Sequence, residues 1–551
     1  MQYLIVSILI LLIYFTLIYK GKKEKEFDKS NWYKIKEESF NFNLIGKYFQ
    51  NRIEIDNYFH IITDKVSLDL DLDDVFKKID RTSSKIGQQY LYSKIRIIKN
   101  SISELEKFSN LVGFFDENEF EKIECIKNLS SLNSHNGYYF EELFNQDLIT
   151  DKKVARICLF LNITFVIFIF LTFLKPIFFL VLIPIYCANM FFHYRNKGLV
   201  SYNLSKISEL SKTLFIADKI SKRNHFYKEH FEKLTFLKPL LIFNKKISFL
   251  LIENKMKNEI LVPFWMLFEL IKITFNIEVI LYNSLLNDIN KFKAEMNDLF
   301  KFIGEIDSSI SIVGLKSSNV NVCKPKFTDE KNIVVENLFH PLITECVLNS
   351  IELNNKSLLL SGSNMSGKTT FIRAFAINSI FSQALNVSFS EKYESPFFKI
   401  FSSIRTQDNL NNNTSFYLDE VLTIKEFIKS IKNDEPHLFI LDEIFKGTNT
   451  LERIAIGKSV LSYLNKGNNF VFVSTHDLEL ADLLVNSDFD LYHFSEDVTN
   501  NSLTFNYKLK EGKLKTRNAI KILTLYEYPN EIINEANEIY SNSIIEKKDN
   551  C

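Results

Sequence analysis

The stretch Leu358-Leu-Leu-Ser-Gly-Ser-Asn-Met-Ser-Gly-Lys-Thr-Thr370 decides how the C-terminal part of this chain folds. An apolar strand runs into the spacing Gly362-x-x-x-x-Gly367-Lys-Thr369, and the helix-like run Phe371–Ala376 follows. A strand, a glycine-rich loop and a helix in this order are typical of a P-loop, because the loop amides and the positive end of the helix surround phosphate oxygens. The stretch therefore predicts a phosphate-binding loop.

The side chains of this loop indicate which phosphate compound it holds. Lys368 is long enough to reach the β- and γ-phosphates of a nucleotide, and the Thr369 hydroxyl is a suitable ligand for Mg²⁺. ATP and Mg²⁺ are therefore the predicted cofactors. The predicted nucleotide-binding residues of the loop are Gly362, Ser363, Asn364, Met365, Ser366, Gly367, Lys368, Thr369 and Thr370.

Two apolar runs downstream end in polar residues that suit ATP hydrolysis. The run from His437 has the pattern of a buried strand and ends in Asp442 and Glu443. Asp442 is placed to hold Mg²⁺, and Glu443 to orient or deprotonate the attacking water. A second run, Phe470–Thr475, leads to His476, whose imidazole is able to sense the γ-phosphate. These strands could be sheet core alone with solvated ends, but three such motifs in this order favour an ATP hydrolase. The predicted catalytic residues are Glu443, His476 and Lys368, and the predicted metal ligands are Thr369 and Asp442.

The same motifs resemble those of the MutS family of DNA mismatch-repair ATPases. The loop from Gly362 to Thr369 is similar to the family's Gly-x-Asn-Met-x-Gly-Lys-Ser/Thr, and most other P-loops lack the Asn-Met pair. Asp442-Glu-Ile-Phe-Lys-Gly-Thr-Asn-Thr450 resembles the family's Asp-Glu-Ile-Gly-Arg-Gly-Thr-Ser-Thr. Ser474-Thr-His-Asp-Leu-Glu-Leu480 resembles its Ala-Thr-His-Tyr-Phe-Glu-Leu, and Glu336–Ile343 is similar to its lead-in to the loop.

The resemblance extends upstream, where Asp80–Leu91 is similar to the start of the family's helical core and Ile303–Asp307 to its end. It implies an α/β ABC-type P-loop ATPase domain that lies C-terminal to an all-α MutS-core-like region. It also implies a homodimer in which each subunit supplies a hydroxyl to the nucleotide of the other. The matching hydroxyls here are those of Thr414 and Ser415, although Asn412 replaces the family's glycine.

The nucleic-acid function that the resemblance implies has little support from composition. The chain carries 67 basic and 67 acidic residues, so it lacks the overall basic charge of a dedicated DNA-binding protein. About 70 residues precede the helical core, which is too few for the family's mismatch-recognition domain. Two hypotheses therefore stay open: an ATPase coupled to mismatched or structured DNA, and a membrane ATPase that uses the same dimer on a protein or lipid partner.

Three apolar runs predict transmembrane helices. Leu4–Tyr19 is followed by a cluster of lysines, and Ile157–Leu174 and Ile177–Tyr194 are uncharged runs separated by Lys175-Pro176. A spanning helix needs roughly 20 residues, with a tolerance down to about 17. The alternatives are a cleaved signal peptide for the first run and a buried helical hairpin for the pair.

Basic residues flank the pair on both sides, which predicts that both of its ends lie in the cytoplasm. The chain is therefore expected to be a multi-pass protein of the inner or plasma membrane with about three spans and a cytoplasmic ATPase domain. The predicted division is an anchor (1–25), a first helical part (26–150), a transmembrane hairpin (151–200), a second helical part (201–320) and the ATPase domain with a helical tail (321–551).

Overall fold

The fold is a helical N-terminal part joined to a C-terminal α/β part, seen here in a computed structural model. It describes residues 32–52, 58–148, 150–231, 234–250, 262–318, 321–363, 365–405, 416–431, 435–498, 503–514 and 519–549. The predicted anchor (1–25) and the predicted site residues Asn364, Thr414 and Ser415 lie outside these residues.

The described residues up to 318 are mainly helical, with one short antiparallel ribbon, β1 (His60–Ile61) and β2 (Ile97–Ile98). The helices of this part are α1 (Phe42–Ile45), α2 (Lys47–Arg52), α3 (Asp64–Asp69), α4 (Leu72–Ile79), α5 (Lys85–Arg96), α6 (Ile102–Glu117), α7 (Glu119–Leu129), α8 (Glu142–Asn145), α9 (Lys152–Leu174), α10 (Phe179–Ser221), α11 (Phe226–His230), α12 (Leu237–Leu250), α13 (Val262–Phe275), α14 (Ile277–Lys291) and α15 (Lys293–Ser317).

Helices α5 and α15 cross closely and bring together the two upstream segments that resemble the family's core. The Asp307 carboxylate, buried on α15, accepts hydrogen bonds from the backbone N–H groups of Ser83 at 2.7 Å and Ser84 at 2.8 Å, just before α5 begins. Burial raises the pKa of Asp307 to about 6. The approach leaves no room for side chains at the crossing, because a Cβ on Gly304 would lie 2.4 Å from the Cβ of Tyr90.

Helices α9 and α10 form an exposed apolar hairpin. The segments Lys152–Leu174 and Pro176–Gly198 are long and apolar enough to cross a membrane, and only 6% and 17% of their most apolar stretches are buried. Large side chains such as Phe170 and Phe173 are 68% and 84% exposed. The exposure disagrees with the alternative of a buried core hairpin. Beyond the apolar segment, α10 continues as a core helix that buries Leu210 and Leu214.

The C-terminal part is mixed α/β, as predicted. Its strands are β3 (Lys326–Phe327), β4 (Asn332–Leu338), β5 (Asn349–Asn354), β6 (Ser357–Ser361), β7 (Lys392–Ser395), β8 (Lys399–Ser403), β9 (His437–Asp442), β10 (Phe470–Thr475), β11 (Phe489–Val498) and β12 (Leu503–Glu511). Its helices are α16 (Lys368–Leu385), α17 (Phe416–Ser430), α18 (Thr450–Leu464), α19 (Leu478–Leu484), α20 (Ala519–Leu525) and α21 (Asn530–Asp549).

Six strands form the main sheet in the order β12-β11-β6-β10-β9-β8, and the other four form a second sheet, β3-β7-β4-β5. Strands β11, β6, β10, β9 and β8 are parallel, and β12 is antiparallel to β11. In the register of the sheet, Ser361 lies beside Thr475, and Ser474 lies beside Asp442. The carboxyl ends of β6, β10 and β9 therefore meet at one edge of the sheet.

Polar contacts join the helical part to this sheet. His60 donates from Nε2 to the carbonyl oxygen of Ile400 in β8 at 2.8 Å. The Asp71 carboxylate, at the start of α4, accepts from Arg373 of α16 at 3.1 Å and from Arg405 after β8 at 2.6 Å. A continuous cluster of buried hydrophobic residues runs through both parts. The helix that follows the predicted phosphate loop is thus tied directly to the helical part.

Candidate functional site

The loop between β6 and α16 has the backbone conformation that its glycines predict. Gly362 has φ 150° and Gly367 has φ 105°, both in the region that side chains disfavour. A Cβ on Gly362 would also lie 2.8 Å from the carbonyl oxygen of Phe494 and 2.9 Å from the Ser366 hydroxyl. Since β6 is buried throughout, it holds the start of the loop rigidly at the edge of the sheet.

Lys368 closes this loop. Its ammonium donates to the carbonyl oxygens of Gly362 at 2.9 Å and Ser363 at 2.8 Å, and it lies 3.4 Å from His476 Nε2. Burial lowers the pKa of Lys368. An ammonium in this position is suited to phosphate oxygens, which are stronger acceptors than the two carbonyls.

Asp442 lies at the centre of a set of oxygen ligands. The Thr369 hydroxyl donates to Asp442 Oδ2 at 2.9 Å, and the Ser474 hydroxyl donates to Asp442 Oδ1. A hydroxyl and a carboxylate fit Mg²⁺, which is commonly held by one or two protein oxygens together with substrate phosphates and water. Among the described residues, no cluster of three or more His, Cys, Asp or Glu side chains offers a metal a complete protein cage. The donor set therefore fits a magnesium ion that arrives with a nucleotide.

Glu443 follows directly and is held between His476 and Lys446. His476 Nε2 lies 2.7 Å from one carboxylate oxygen of Glu443, and the Lys446 ammonium lies 3.1 Å from the other. The hydrogen bond from His476 is the main reason that the pKa of Glu443 falls to about 2. The backbone of Glu443 has φ 56° and its N–H donates to the carbonyl oxygen of Ser474 at 3.0 Å. The carboxylate is therefore ionised and oriented towards the end of β10.

A cavity of about 600 Å³ opens beside the loop. Its lining includes residues of the loop and its surroundings: Ser363, Met365, Ser366, Gly367, Lys368, Thr369, Thr370 and Glu443. Apolar and aromatic side chains, including Phe339, Ile343 and Tyr507, also line it. Ligand sites of this size commonly combine apolar walls with a few polar groups, and a nucleotide needs both an apolar face for its base and donors for its phosphates.

Phe339, Ile343 and Tyr507 were not predicted as site residues. His340 also lines the cavity, and burial lowers its pKa to about 4, so the ring is neutral at physiological pH. The segment around His340 is visible in the sequence as a resemblance, but nothing in its spacing shows that it faces the loop. Tyr507 lies on β12, and its Cδ1 atom would be 3.3 Å from a Cβ on Gly367. Tyr507 lies at the cavity because of the order of the strands in the sheet, and no local sequence motif predicts this position.

The structure thus brings together the predicted residues at the ends of β6, β9 and β10. Gly362, Asp442 and His476 do not line the cavity themselves, but each contacts a residue that does. Met365 is 81% exposed and has φ 69°, so its side chain projects away from the protein surface. One further contact had no signal in the sequence: the Ser363 hydroxyl donates to the carboxylate of Glu496 on β11.

Comparisons with known proteins agree with this geometry. A family model described as MutS domain V matches residues 358–543, a range that begins within β6 and ends within α21. The DNA mismatch repair protein MutS of Staphylococcus haemolyticus is 31% identical over 234 residues, which cover 40% of this chain and 26% of the relative. The corresponding protein of a Geobacillus species is 29% identical over 228 residues, covering 39% of this chain and 26% of the relative.

A human relative named MutS protein homolog 4 is 29% identical over 232 residues, covering 39% of this chain and 24% of the relative. The chain thus spans about a quarter of the length of the curated relatives it matches. The matched part contains the loop, the two carboxylates and the histidine of the candidate site.

Proposed function

We propose, from the premise that this chain belongs to the MutS family through residues 358–543, that it is a Mg²⁺-dependent ATP hydrolase. One observation carries the proposal. Lys368, Thr369, Asp442, Glu443 and His476 converge at the carboxyl ends of three neighbouring parallel strands, beside a cavity of nucleotide size. These groups supply what phosphoryl transfer to water requires: a cation for the phosphates, oxygen ligands for magnesium and a carboxylate for the water.

In the proposed reaction, Lys368 exchanges its two carbonyl contacts for the β- and γ-phosphates, and the loop amides bind the remaining oxygens. Thr369 and Asp442 would hold Mg²⁺, and a bound Mg²⁺ would offset the negative charge that develops on the phosphates. Glu443 orients the attacking water and accepts its proton. His476 donates to the γ-phosphate, so its contact with Glu443 has to open when ATP binds. That rearrangement would couple nucleotide binding to release of the base.

The proposal extends to a homodimer. Thr414 or Ser415 supplies a hydroxyl to the nucleotide of a second copy, as the resemblance to the family implies. Both residues lie outside the described part of the chain, so the support for this step is the sequence match alone.

The proposed location is the inner or plasma membrane, with the ATPase domain in the cytoplasm. Its support is the exposed apolar surface of α9 and α10, together with the basic residues Lys152, Lys153 and Arg156 before the hairpin and Arg195 and Lys197 after it. An even number of crossings keeps both halves of the helical core in one compartment, which the crossing of α5 and α15 requires. The predicted anchor in residues 1–25 would add a third span.

The proposed role of ATP turnover is coupling to mismatched or structured DNA. Its support is the name of two of the relatives, which are DNA mismatch repair proteins. The second candidate is a membrane ATPase that uses the same dimer on a protein or lipid partner. It is favoured by the balance of 67 basic and 67 acidic residues and by the apolar hairpin inserted into the helical core.

ATP turnover of the detergent-purified full chain separates the two candidates. It would be measured alone and with duplex, mismatched and branched DNA, across a salt series, with Glu443→Gln as the control for contaminating ATPases. Stimulation by DNA that declines as salt rises supports the first candidate, since phosphate contacts release counterions. Turnover that none of the DNAs changes at low salt supports the second candidate. If Glu443→Gln turns over as fast as the unmodified chain, the ATPase proposal itself is wrong.

A further inference from the structure

A second helical hairpin packs against the proposed membrane hairpin. It consists of α13 (Val262–Phe275) and α14 (Ile277–Lys291), and the chain reverses between them at Asn276, which has φ 45°. Contacts of α13 with α9 and α10 place this second hairpin alongside the first. Phe275, at its apex, makes an edge-to-face contact with Phe165 of α9, with ring centroids 5.9 Å apart.

Asparagine side chains fasten this apex. Asn189 of α10 donates from Nδ2 to the carbonyl oxygen of Thr274 at 2.7 Å, and Asn162 of α9 donates to the carbonyl oxygen of Phe275. Asn276 donates in turn to Asn189 Oδ1 at 2.7 Å. The last carbonyls of a helix have no partner within the helix, and leaving them bare in an apolar medium costs several kcal/mol. In water, solvent molecules would donate to these carbonyls, and no side-chain donors would be needed.

The apex lies inside the apolar zone of the first hairpin. Asn162 is five residues, or ~8 Å, beyond Ile157, where the apolar run of α9 begins. Asn189 is five residues, or ~8 Å, before Tyr194, where the apolar run of α10 ends. Half of a bilayer's hydrocarbon core is about 15 Å thick. If α9 and α10 cross the membrane, the second hairpin therefore ends within the cytoplasmic leaflet.

A set of paired charges follows α13 from the level of Lys197 towards the apex. Glu269 pairs with Lys272 at 2.7 Å and with Lys197 of α10 at 3.2 Å, and Lys272 lies 3.7 Å from Glu278 of α14. The side chains of Glu269 and Lys272 are only 13% and 7% exposed. Charges near hydrocarbon are stable when they are paired and directed into the protein, as here.

Between Glu269 and Lys272, α13 presents two apolar side chains outwards. Leu270 is 55% exposed and Ile271 is 39% exposed. At 14 residues, α13 is too short to cross a bilayer, and apolar helices of this length are typical of re-entrant segments when they are not buried in a core.

We propose that α13 and α14 form a re-entrant hairpin whose apex dips into the cytoplasmic leaflet, with Leu270 and Ile271 facing lipid near the membrane surface. This proposal rests on the proposed crossing of the membrane by α9 and α10. Only Phe292 separates α14 from α15, whose Asp307 and Gly304 form the core crossing, so the re-entrant hairpin is joined closely to the helical core.

Nitroxide scanning in proteoliposomes tests the proposal. Single cysteines replace three side chains of similar exposure in a full-length variant without native cysteines: Leu270→Cys, Phe170→Cys near the tip of the first hairpin, and Phe215→Cys on the distal part of α10, which are 55%, 68% and 67% exposed. Power saturation compares the accessibility of each label to oxygen, which concentrates in the bilayer, with that to a water-soluble nickel chelate. We expect the oxygen-to-nickel ratio at 270 to lie between that at 215, in water, and that at 170, in the bilayer.

Each other outcome has a definite meaning. A ratio at 270 equal to that at 215 places α13 in water and overturns the re-entrant hairpin. Low access of both reagents at 270 means that protein covers the face, for example a second copy, and also overturns the proposal. If the label at 170 is itself in water, the proposed membrane crossing has failed, which is a different result from failure of the re-entrant hairpin alone.

A matched pair of asparagine variants tests the role of the apex. Asn189→Ala removes the donor to Thr274, whereas Asn196→Ala removes only a bond to Phe192 within the same helix, at 2.7 Å. We expect Asn189→Ala to lower the oxygen-to-nickel ratio at 270 and to increase label mobility there, with the ratio at 170 unchanged. Equal effects of the two variants would show that the apex contact does not hold the hairpin in the leaflet.

Discussion

At the scale of single residues, Glu443 and Lys368 have separable functions in the proposed reaction. Glu443 contacts His476 and Lys446, whereas Lys368 closes the phosphate loop. We expect Glu443→Gln to reduce ATP turnover about 100-fold or more while ATP still binds, because amide and carboxylate are similar in size but only the carboxylate accepts a proton. We expect Lys368→Ala to weaken ATP binding by about 2 kcal/mol or more, because a buried phosphate partner is lost.

Two measurements distinguish these effects. One is ATP turnover at saturating ATP, and the other is nucleotide binding followed with a fluorescent analogue. Exposed Lys466→Ala, on the turn after α18, is the matched control and should change neither quantity. Weak nucleotide binding by Glu443→Gln, equal to that of Lys368→Ala, would contradict the separation of roles.

His60 makes a buried contact between the helical part and the sheet that depends on pH. Burial lowers the pKa of His60 to about 4, against roughly 6.5 in an unfolded chain. The unfolded state therefore binds a proton first as pH falls, so the contribution of neutral His60 to stability is complete above pH 6.5 and is lost as pH falls towards 4. At pH 5 the loss amounts to about 2 kcal/mol.

His60→Gln keeps an N–H donor for the carbonyl oxygen of Ile400 but does not titrate. We expect the melting temperature of this variant to fall less between pH 7 and pH 5 than that of the unmodified chain. Thermal unfolding in detergent across this range measures the difference, and His135→Gln, at an exposed position, is the control. The same slope in all three proteins would mean that His60 does not titrate with folding.

At the scale of elements, α5 and α15 are tightly packed where they cross. The sequence alone does not show how closely the two helices approach. A Cβ on Gly304 would meet Tyr90 at 2.4 Å, so Gly304→Ala forces the two helices apart. Overpacking of this kind costs about 1–3 kcal/mol, and we expect a reduction of about 2–3 kcal/mol in the free energy of unfolding.

Gly113 of α6 is a matched control, because a Cβ there has no heavy atom within 4 Å. Gly113→Ala should stabilise the chain by about 0.5–1 kcal/mol, since alanine favours a helix interior more than glycine does. Denaturant unfolding followed by circular dichroism measures both changes. Similar effects of the two substitutions would show that the crossing tolerates a methyl group and that the helices are further apart than described here.

At the scale of the whole molecule, the α9–α10 hairpin should suffice to hold the chain in a membrane. We expect a variant without residues 1–31 to stay in the membrane pellet after extraction with alkaline carbonate, because two apolar segments of spanning length remain. A second variant that also carries Ile163→Arg and Phe170→Arg should be extracted, since arginine within a span costs about 2.5–3.5 kcal/mol per residue. Release of both variants would contradict membrane insertion of the hairpin.

The sequence by itself determined the chemistry at the edge of the sheet. The glycine spacing, Lys368 and Thr369 belong to one short segment, and Asp442, Glu443 and His476 each follow directly after an apolar run. Such features are local, because a P-loop needs particular φ angles and a strand needs a run of apolar side chains, and both are visible within a few residues. The apolar runs of α9 and α10 are visible in the sequence for the same reason.

Only the tertiary structure decided which distant groups surround that chemistry. Tyr507 and Phe339 reach the cavity because β12 and β4 belong to sheets whose order does not follow the chain. Asn162, Asn189 and Asn276 come together at the apex of the second hairpin although long stretches of chain separate them. No local pattern marks such positions, because a single polar residue or tyrosine has many stable environments, and which one it occupies is set by the packing of whole helices and strands.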